Sequence, residues 1–343
     1  QKTFAHTAPT GFSALQQDNF PETGKGIPDF VWIKNRDSTD DHQLYDSSRG
    51  PQLDLNTDGS GAEGTTTDGL QKFLKGGFAI EDDVSVNTSG ESYVSWNWVA
   101  NGGTTSANTS ATPTIASTFQ ANPTAGFSIV TYTGTGSAGT VQHGLSQAPE
   151  WMIIKERGNT NGWIVSHKGL TSQATYSVNM SVTNAESSSG GTYYWNSTAP
   201  TSSVFSIATD SAVNRSSGTY VAWCWHSVEG FSKFSHYFGN GNANGPFVFT
   251  GFKPKFVIVK STAAGNFNIH DSGRNLFNPI ATQLYADTTE VDYDLAARGT
   301  DFLSNGFKLR QEQGYGSNNS GQRYIYMAFA EHPFIGDGVS PAT

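Results

Sequence analysis

Apolar and polar residues alternate along the chain in short bursts separated by glycine, serine, threonine and asparagine, and one burst recurs three times. It reads Pro28-Asp29-Phe30-Val31-Trp32-Ile33-Lys34, then Pro149-Glu150-Trp151-Met152-Ile153-Ile154-Lys155, then Pro254-Lys255-Phe256-Val257-Ile258-Val259-Lys260. Proline cannot donate a ladder hydrogen bond, so it marks the start of a strand, and the β-branched and aromatic run behind it is strand-forming. A second landmark closes each unit: Tyr93 to Trp98, Tyr220 to Trp225 and Tyr324 to Phe329. The first alternates with period two, Val94, Trp96 and Trp98 on one face and Tyr93, Ser95 and Asn97 on the other. From opening proline to closing tyrosine the intervals are 65, 71 and 70 positions, which predicts three copies of one unit. No sustained 3.6-residue pattern predicts a long helix.

Units of this size, with many short strands, match a β-sandwich with its own core. The expected fold is all-β: three tandem homologous antiparallel β-sandwich repeats of jelly-roll or lectin-like type, packed in a row. The expected boundaries are 1–24 for the end of a preceding β domain or an N-terminal arm, 25–101 for the first repeat, 102–125 for a Gly/Ser/Thr-rich linker, 126–229 and 230–334 for the second and third repeats, and 335–343 for a tail. The chain opens on Gln1 rather than Met, which reads as a processed or truncated start.

Composition narrows the function. Charged residues are only 14 % and glycines number 38, a turn-rich all-β profile. A net charge of −9 argues against nucleic acid, whose phosphates need a basic face. The single cysteine, Cys224, cannot form an intrachain disulfide and sits in an apolar run as a small buried hydrophobe. No apolar stretch approaches the roughly 20 residues of a membrane span, so membrane insertion is not expected.

Several long motifs carry a resemblance. They are Phe4 to Leu15, the pairing of Pro28–Lys34 with Tyr45-Asp46-Ser47-Ser48-Arg49-Gly50, Gly126 to Gly134, Tyr194 to Ser206, and Tyr324 to Phe334. Together they resemble repeat-containing, tail-fibre-like virion structural proteins of marine tailed bacteriophages, in which a SPRY-like, concanavalin-type sandwich commonly precedes the repeats. Residues 1–20 look like the last strand and exit of such a domain. The resemblance implies a non-enzymatic protein of the virion surface, in tail or capsid exterior, that attaches to host-surface glycans through multivalent units. It implies other virion proteins as partners and a homo-oligomer, with a trimer favoured. It transfers no catalytic residue. The alternatives are a capsid decoration or purely architectural protein without a ligand, and a polysaccharide depolymerase. The short β-helix repeats usual in depolymerase spikes are not visible.

Three constellations could carry chemistry. Asp54, Asn56 and Asp58, followed by Gly59, have the spacing of a calcium loop. Thr65 stands where the bidentate glutamate belongs, so the loop reads as a polar turn with calcium as the only cofactor suggested. A corner after the second strand recurs as Asp46 with Arg49, His167 with Lys168, and His270-Asp271 with Arg274, able to hold a sugar hydroxyl or to stabilise the turn. Trp163, Tyr193, Tyr194 and Trp195 lie in Gly/Ser/Asn-rich surroundings, where aromatic rings could stack on sugar faces or pack between units. Glu81, Asp82, Asp83, Glu290, Asp292 and Asp294 read as loop solvation rather than a glycosidase pair.

Overall fold

The fold was obtained as a computed structural model that describes residues 2–7, 15–17, 26–108, 113–314 and 316–332. It is all-β and antiparallel. The first third forms β1 (Lys2–Thr7), β2 (Leu15–Gln17), β3 (Phe30–Asn35), β4 (Gln43–Asp46), β5 (Gly50–Leu55), β6 (Gly64–Thr65), β7 (Leu70–Leu74), β8 (Gly77–Ile80) and β9 (Ser92–Trp98). The middle forms β10 (Ser106–Ala107), β11 (Ser117–Asn122), β12 (Phe127–Thr133), β13 (Gly139–Gln142), β14 (Trp151–Glu156), β15 (Ile164–His167), β16 (Val178–Asn179), β17 (Val204–Ile207) and β18 (Thr219–Trp225). The last third forms β19 (Ser232–Phe238), β20 (Phe247–Phe249), β21 (Pro254–Ser261), β22 (Phe267–Asp271), β23 (Thr282–Tyr285), β24 (Tyr293–Asp294), β25 (Thr300–Leu303), β26 (Gly306–Leu309) and β27 (Arg323–Ala330).

Three large sheets run β1-β9-β3-β4-β5-β6, β10-β11-β12-β18-β14-β15-β16 and β19-β27-β21-β22-β23-β24. Three small sheets, β2-β8-β7, β13-β17 and β20-β26-β25, cover one face of each and complete three sandwich-like lobes. The proline-led strands β3, β14 and β21 lie inside their sheets, between the closing strand and the corner strand. Their apolar runs are continuous because both faces are covered. Val31 and Ile33 face the first lobe's own core, while Phe30 and Trp32 face a core common to all three lobes.

That common core replaces the expected row with a closed ring. Trp98, Trp225 and Phe329, from the three closing strands, meet at its centre, with ring centroids 6.0 Å apart for Trp98–Trp225 and 5.5 Å for Trp98–Phe329. The backbone repeats one seam bond around the ring: Glu63 N donates to Arg157 O at 2.7 Å, Glu186 N to Thr262 O at 2.8 Å, and Asp292 N to Arg36 O at 2.9 Å. Each lobe therefore touches both others. A tandem sequence cannot distinguish a row from a ring, because both bury the same strand faces.

Two expected boundaries change. β1 pairs with β9 from Lys2↔Asn97 to Thr7↔Ser92, and β2 pairs with β8, so the described part of 1–24 completes the first lobe's sheets. Within the expected linker 102–125, β11 pairs with β12 along its whole length, and Ile115 is buried in the second lobe's core. The expected tail, 335–343, lies outside the described residues.

Candidate functional site

The recurring corner is a structural joint. Asp46 accepts from the backbone N–H groups of Ser48 and Arg49 and binds Arg49 Nε at 2.5 Å, with both side chains buried. Arg49 then reaches Glu63 at 3.0 Å, and Glu63 binds Arg157 of the second lobe at 2.7 Å. The third lobe repeats the chain: Asp271 holds Arg274 at 2.6 Å, Arg274 reaches Asp292 at 2.5 Å, and Asp292 holds Arg36 of the first lobe at 2.6 Å. Each corner guanidinium also lies over a tryptophan of the neighbouring lobe, Arg49 over Trp223 and Arg274 over Trp96. In the second lobe His167 takes the aspartate's place: Nδ1 accepts from Gly169 N and Nε2 donates to Tyr326 O of the third lobe at 3.1 Å. His270, Asp271 and Arg274 stand open in the sequence as sugar contacts or as turn stabilisers. Burial of His270, and the buried Asp271–Arg274 pair, favour the second over sugar contact.

The aromatic candidates divide. Trp163 is fully buried, stacks on Trp223 at 5.6 Å, and donates its indole N–H to Asn56 O and Gly59 O of the first lobe. Trp195 is buried and donates to Tyr176 O. Both are packing residues, so of the two readings the structure supports packing and corrects the sugar-stacking one. Tyr194 is half-buried against the second lobe's core, and Tyr193 beside it is 52 % exposed. The acidic loop does not converge either. Asp54 accepts from Thr66 Oγ1, Asn56 donates to His42 O, and Asp58 accepts from His42 N. Burial pushes the Asp58 carboxyl up to about 7. Among the described residues no three His, Cys, Asp or Glu side chains are grouped to hold a metal. Cys224 is buried, and burial raises its thiol pKa, so it is no nucleophile.

The open concavity with convergent polar groups lies elsewhere, at the seam of the third and first lobes. Thr39, Asn266, Tyr285, Glu290, Val291, Tyr293 and Arg298 line about 560 Å³. Tyr285 ends β23 and Tyr293 opens β24, so pairing of Gln283 with Tyr293 brings their hydroxyls into hydrogen-bond contact. The 3₁₀ turn Ala296–Arg298 delivers Arg298, whose Nη1 donates to Tyr285 Oη at 2.6 Å and also to Tyr293 Oη. Its guanidinium lies over the Tyr293 ring at 5.4 Å, and Gln311 holds the turn through Arg298 O at 2.6 Å. Burial and the Tyr285 hydroxyl raise the Tyr293 pKa, so the Tyr293 phenol stays a neutral donor and acceptor. The tyrosine rings stand 6.0 Å apart at 56°. Two ring faces, two hydroxyls, an amide, a guanidinium and one carboxylate suit a polyhydroxylated ligand.

Register shows that the fold does not require these tyrosines. Tyr293 pairs with Gln283 where the first lobe pairs Gly64 with Asp54 and the second bridges Ser187 with Ser177. Tyr285 pairs at the position of Asn179 in the second lobe. Sequence reading placed Glu290, Asp292 and Asp294 together as loop solvation and passed over Tyr293 between them. The available signal was an aromatic residue where the other copies carry glycine or serine.

The chain belongs to the family described as Domain of unknown function (DUF7483), whose model matches residues 11–333. No curated protein matches the sequence.

Proposed function

We propose that this chain is a non-enzymatic attachment protein of a virion surface, built from three copies of one jelly-roll or lectin-like sandwich, that binds a host-surface glycan in the Tyr285–Tyr293–Arg298 cleft. The observation that carries the reading is the cleft itself, in which aromatic faces absent from the same positions of the other lobes converge with hydrogen-bonding groups. Sugar C–H faces stack on tyrosine rings, while Asn266, Thr39 and Glu290 can pair with hydroxyls. Glu290 is the one carboxylate among the lining residues, where glycoside hydrolysis ordinarily uses two. A single site of this openness binds weakly. Several copies on one particle, or the homotrimer that the resemblance implies, would multiply it.

The test is a glycan array followed by titration calorimetry of any hit. Tyr293→Ala should weaken binding at least about tenfold with folding unchanged. Release of reducing ends from the bound polysaccharide would refute the non-enzymatic reading. Gold-labelled antibody on intact particles would locate the chain on tail or capsid. The second reading, a purely architectural protein, is favoured by the extent of the buried ion-pair seams. It predicts no glycan binding at all.

A further inference from the structure

Among the described residues the outer edge of the second large sheet is covered, and that of the third is not. In the second lobe β11 runs antiparallel along β12 from Ser117↔Tyr132 to Asn122↔Phe127. The segment before it runs along β13, with Ile115 N donating to Thr140 O at 3.1 Å. Phe119 of this covering strand lies over Gly144, where an added Cβ would stand 2.2 Å from its ring. The connection from β9 to β12, residues 99–126, contains the covering strand β11, whereas only residues 226–231 connect β18 to β19.

In the third lobe β19 takes the place of β12 beside its closing strand, and β20 the place of β13. Val248↔Phe307 corresponds to Val141↔Phe205, so Phe247, Phe249 and Gly251 occupy the positions of Thr140, Gln142 and Gly144. Both glycines have positive φ, +74° at Gly144 and +89° at Gly251. Val228 and Ser227 reach the start of β19, bonding Ser232 and Phe234. Among the described residues no strand pairs with the outer edge of Ser235–Phe238. Phe238 is 52 % exposed, Phe247 45 % and Phe249 63 %. The position over Gly251 that corresponds to the Phe119 seat is open, with the Phe249 ring 3.9 Å from an added Cβ.

We propose that this edge accepts an extended strand of a different protein, added antiparallel to β19, with an aromatic side chain seated over Gly251 beside Phe249. Free backbone groups of β19 would supply the ladder, and the Gly251–Phe249 hollow the specificity. An uncovered edge with exposed phenylalanines is a liability that a protein without a partner blunts with charge or proline. The polar Thr140 and Gln142 show that the sandwich does not need phenylalanine there. Residues 117–122 of a second copy are not the occupant, because they are engaged by that copy's own second lobe.

The probe is a fluorescent peptide of residues 113–123, the segment that makes this contact in the second lobe, titrated against the whole chain by anisotropy. Saturable binding with a dissociation constant of about 10–100 µM is expected. Phe249→Ser or His236→Pro in the protein, or Phe119→Ala in the peptide, should each weaken it at least about tenfold. His236 and Phe249 are exposed, so unchanged far-UV circular dichroism will show that both variants fold. Absence of saturation at about 1 mM peptide, or equal binding by both protein variants, overturns the proposal. Self-association in sedimentation velocity that Phe249→Ser abolishes would give the edge to a second copy, and overturns it too.

Discussion

Acid should loosen this protein, because its buried histidines are held as neutral tautomers. His42 Nδ1 accepts from Trp32 Nε1 at 2.8 Å, and Nε2 faces Tyr285 O of the third lobe at 2.9 Å. His167 and His143 repeat the pattern, each accepting a backbone N–H on Nδ1 and donating from Nε2 to a carbonyl. A proton on Nδ1 would point at a donor. Burial pushes the pKa down to about 3 for His42 and His167 and to about 4 for His143 and His270. A folded pKa below the unfolded 6.5 means the unfolded chain takes up protons first as pH falls. The contribution is whole above pH 6.5 and is lost as pH falls towards the folded value. At pH 5 each histidine costs about 2 kcal/mol, so the four cost about 8 kcal/mol. Buried carboxyls oppose this, since burial raises Asp29 and lifts Asp58 to about 7 and Asp287 to about 6. Their stabilisation grows as pH falls below those values and offsets about 4 kcal/mol at pH 5. The net expectation is a loss of about 4 kcal/mol between pH 7.5 and 5, read from urea midpoints at constant slope. His42→Gln keeps a donor towards Tyr285 O and should reduce the pH dependence between 5 and 6 by about 1.4 kcal/mol per pH unit. Constant or rising stability from pH 7.5 to 5 would refute the reasoning.

Other outcomes follow from the seams. Arg49→Met leaves the buried Asp46 carboxylate without its cation and should cost about 3–5 kcal/mol in urea unfolding. Lys260 is buried and donates to Asn184 O at 3.0 Å and Gly265 O at 2.6 Å, so Lys260→Met unpairs carbonyls of two lobes. Lys34 bonds only its own turn, so Lys34→Met should cost about 1–2 kcal/mol less. Burial lowers the Lys260 pKa to about 8, below the unfolded value. Stability should therefore rise as pH goes from 8 to about 10, and Lys260→Met should remove about 1.4 kcal/mol per pH unit of that rise. Calcium or EDTA should leave the unfolding temperature within about 2 °C, because Asp54 is engaged by Thr66 while Asn56 and Asp58 are engaged by the backbone of His42.

The strands were legible because a run such as Phe256 to Val259 has one stable home, a strand covered on both faces. What covers each face was not legible. Phe30 and Val31 are equally apolar, yet one faces Trp223 of the next lobe and the other its own lobe's Phe78 cluster. The same gap misplaced Trp163. Its Gly/Asn-rich neighbours suggested presentation, but the first lobe's loop carbonyls close over it. The Asp54–Asp58 spacing is a one-dimensional cue, and in the fold Asp54 is taken up by Thr66 while Asn56 and Asp58 bond the backbone of His42. Asp292 read as a solvated acid until folding placed it between Arg274 and Arg36.

Comparison at equal register separates positions that serve folding from those free to serve binding. Lys34, Lys155 and Lys260 are all buried, and each ties down the turn that follows its strand. Their recurrence needs no ligand to explain it. Tyr285 and Tyr293 do not recur. Asn179, Ser187 and Gly64 fill those places without loss of the sheet. Replacing Tyr285→Asn and Tyr293→Ser together should therefore leave stability within about 1 kcal/mol while abolishing glycan retention. Lys260→Met should do the opposite, weakening the fold and leaving the cleft's affinity unchanged under conditions where the variant remains folded. If both variants lose stability and binding in parallel, the tyrosines belong to the folding set and the cleft is not a site.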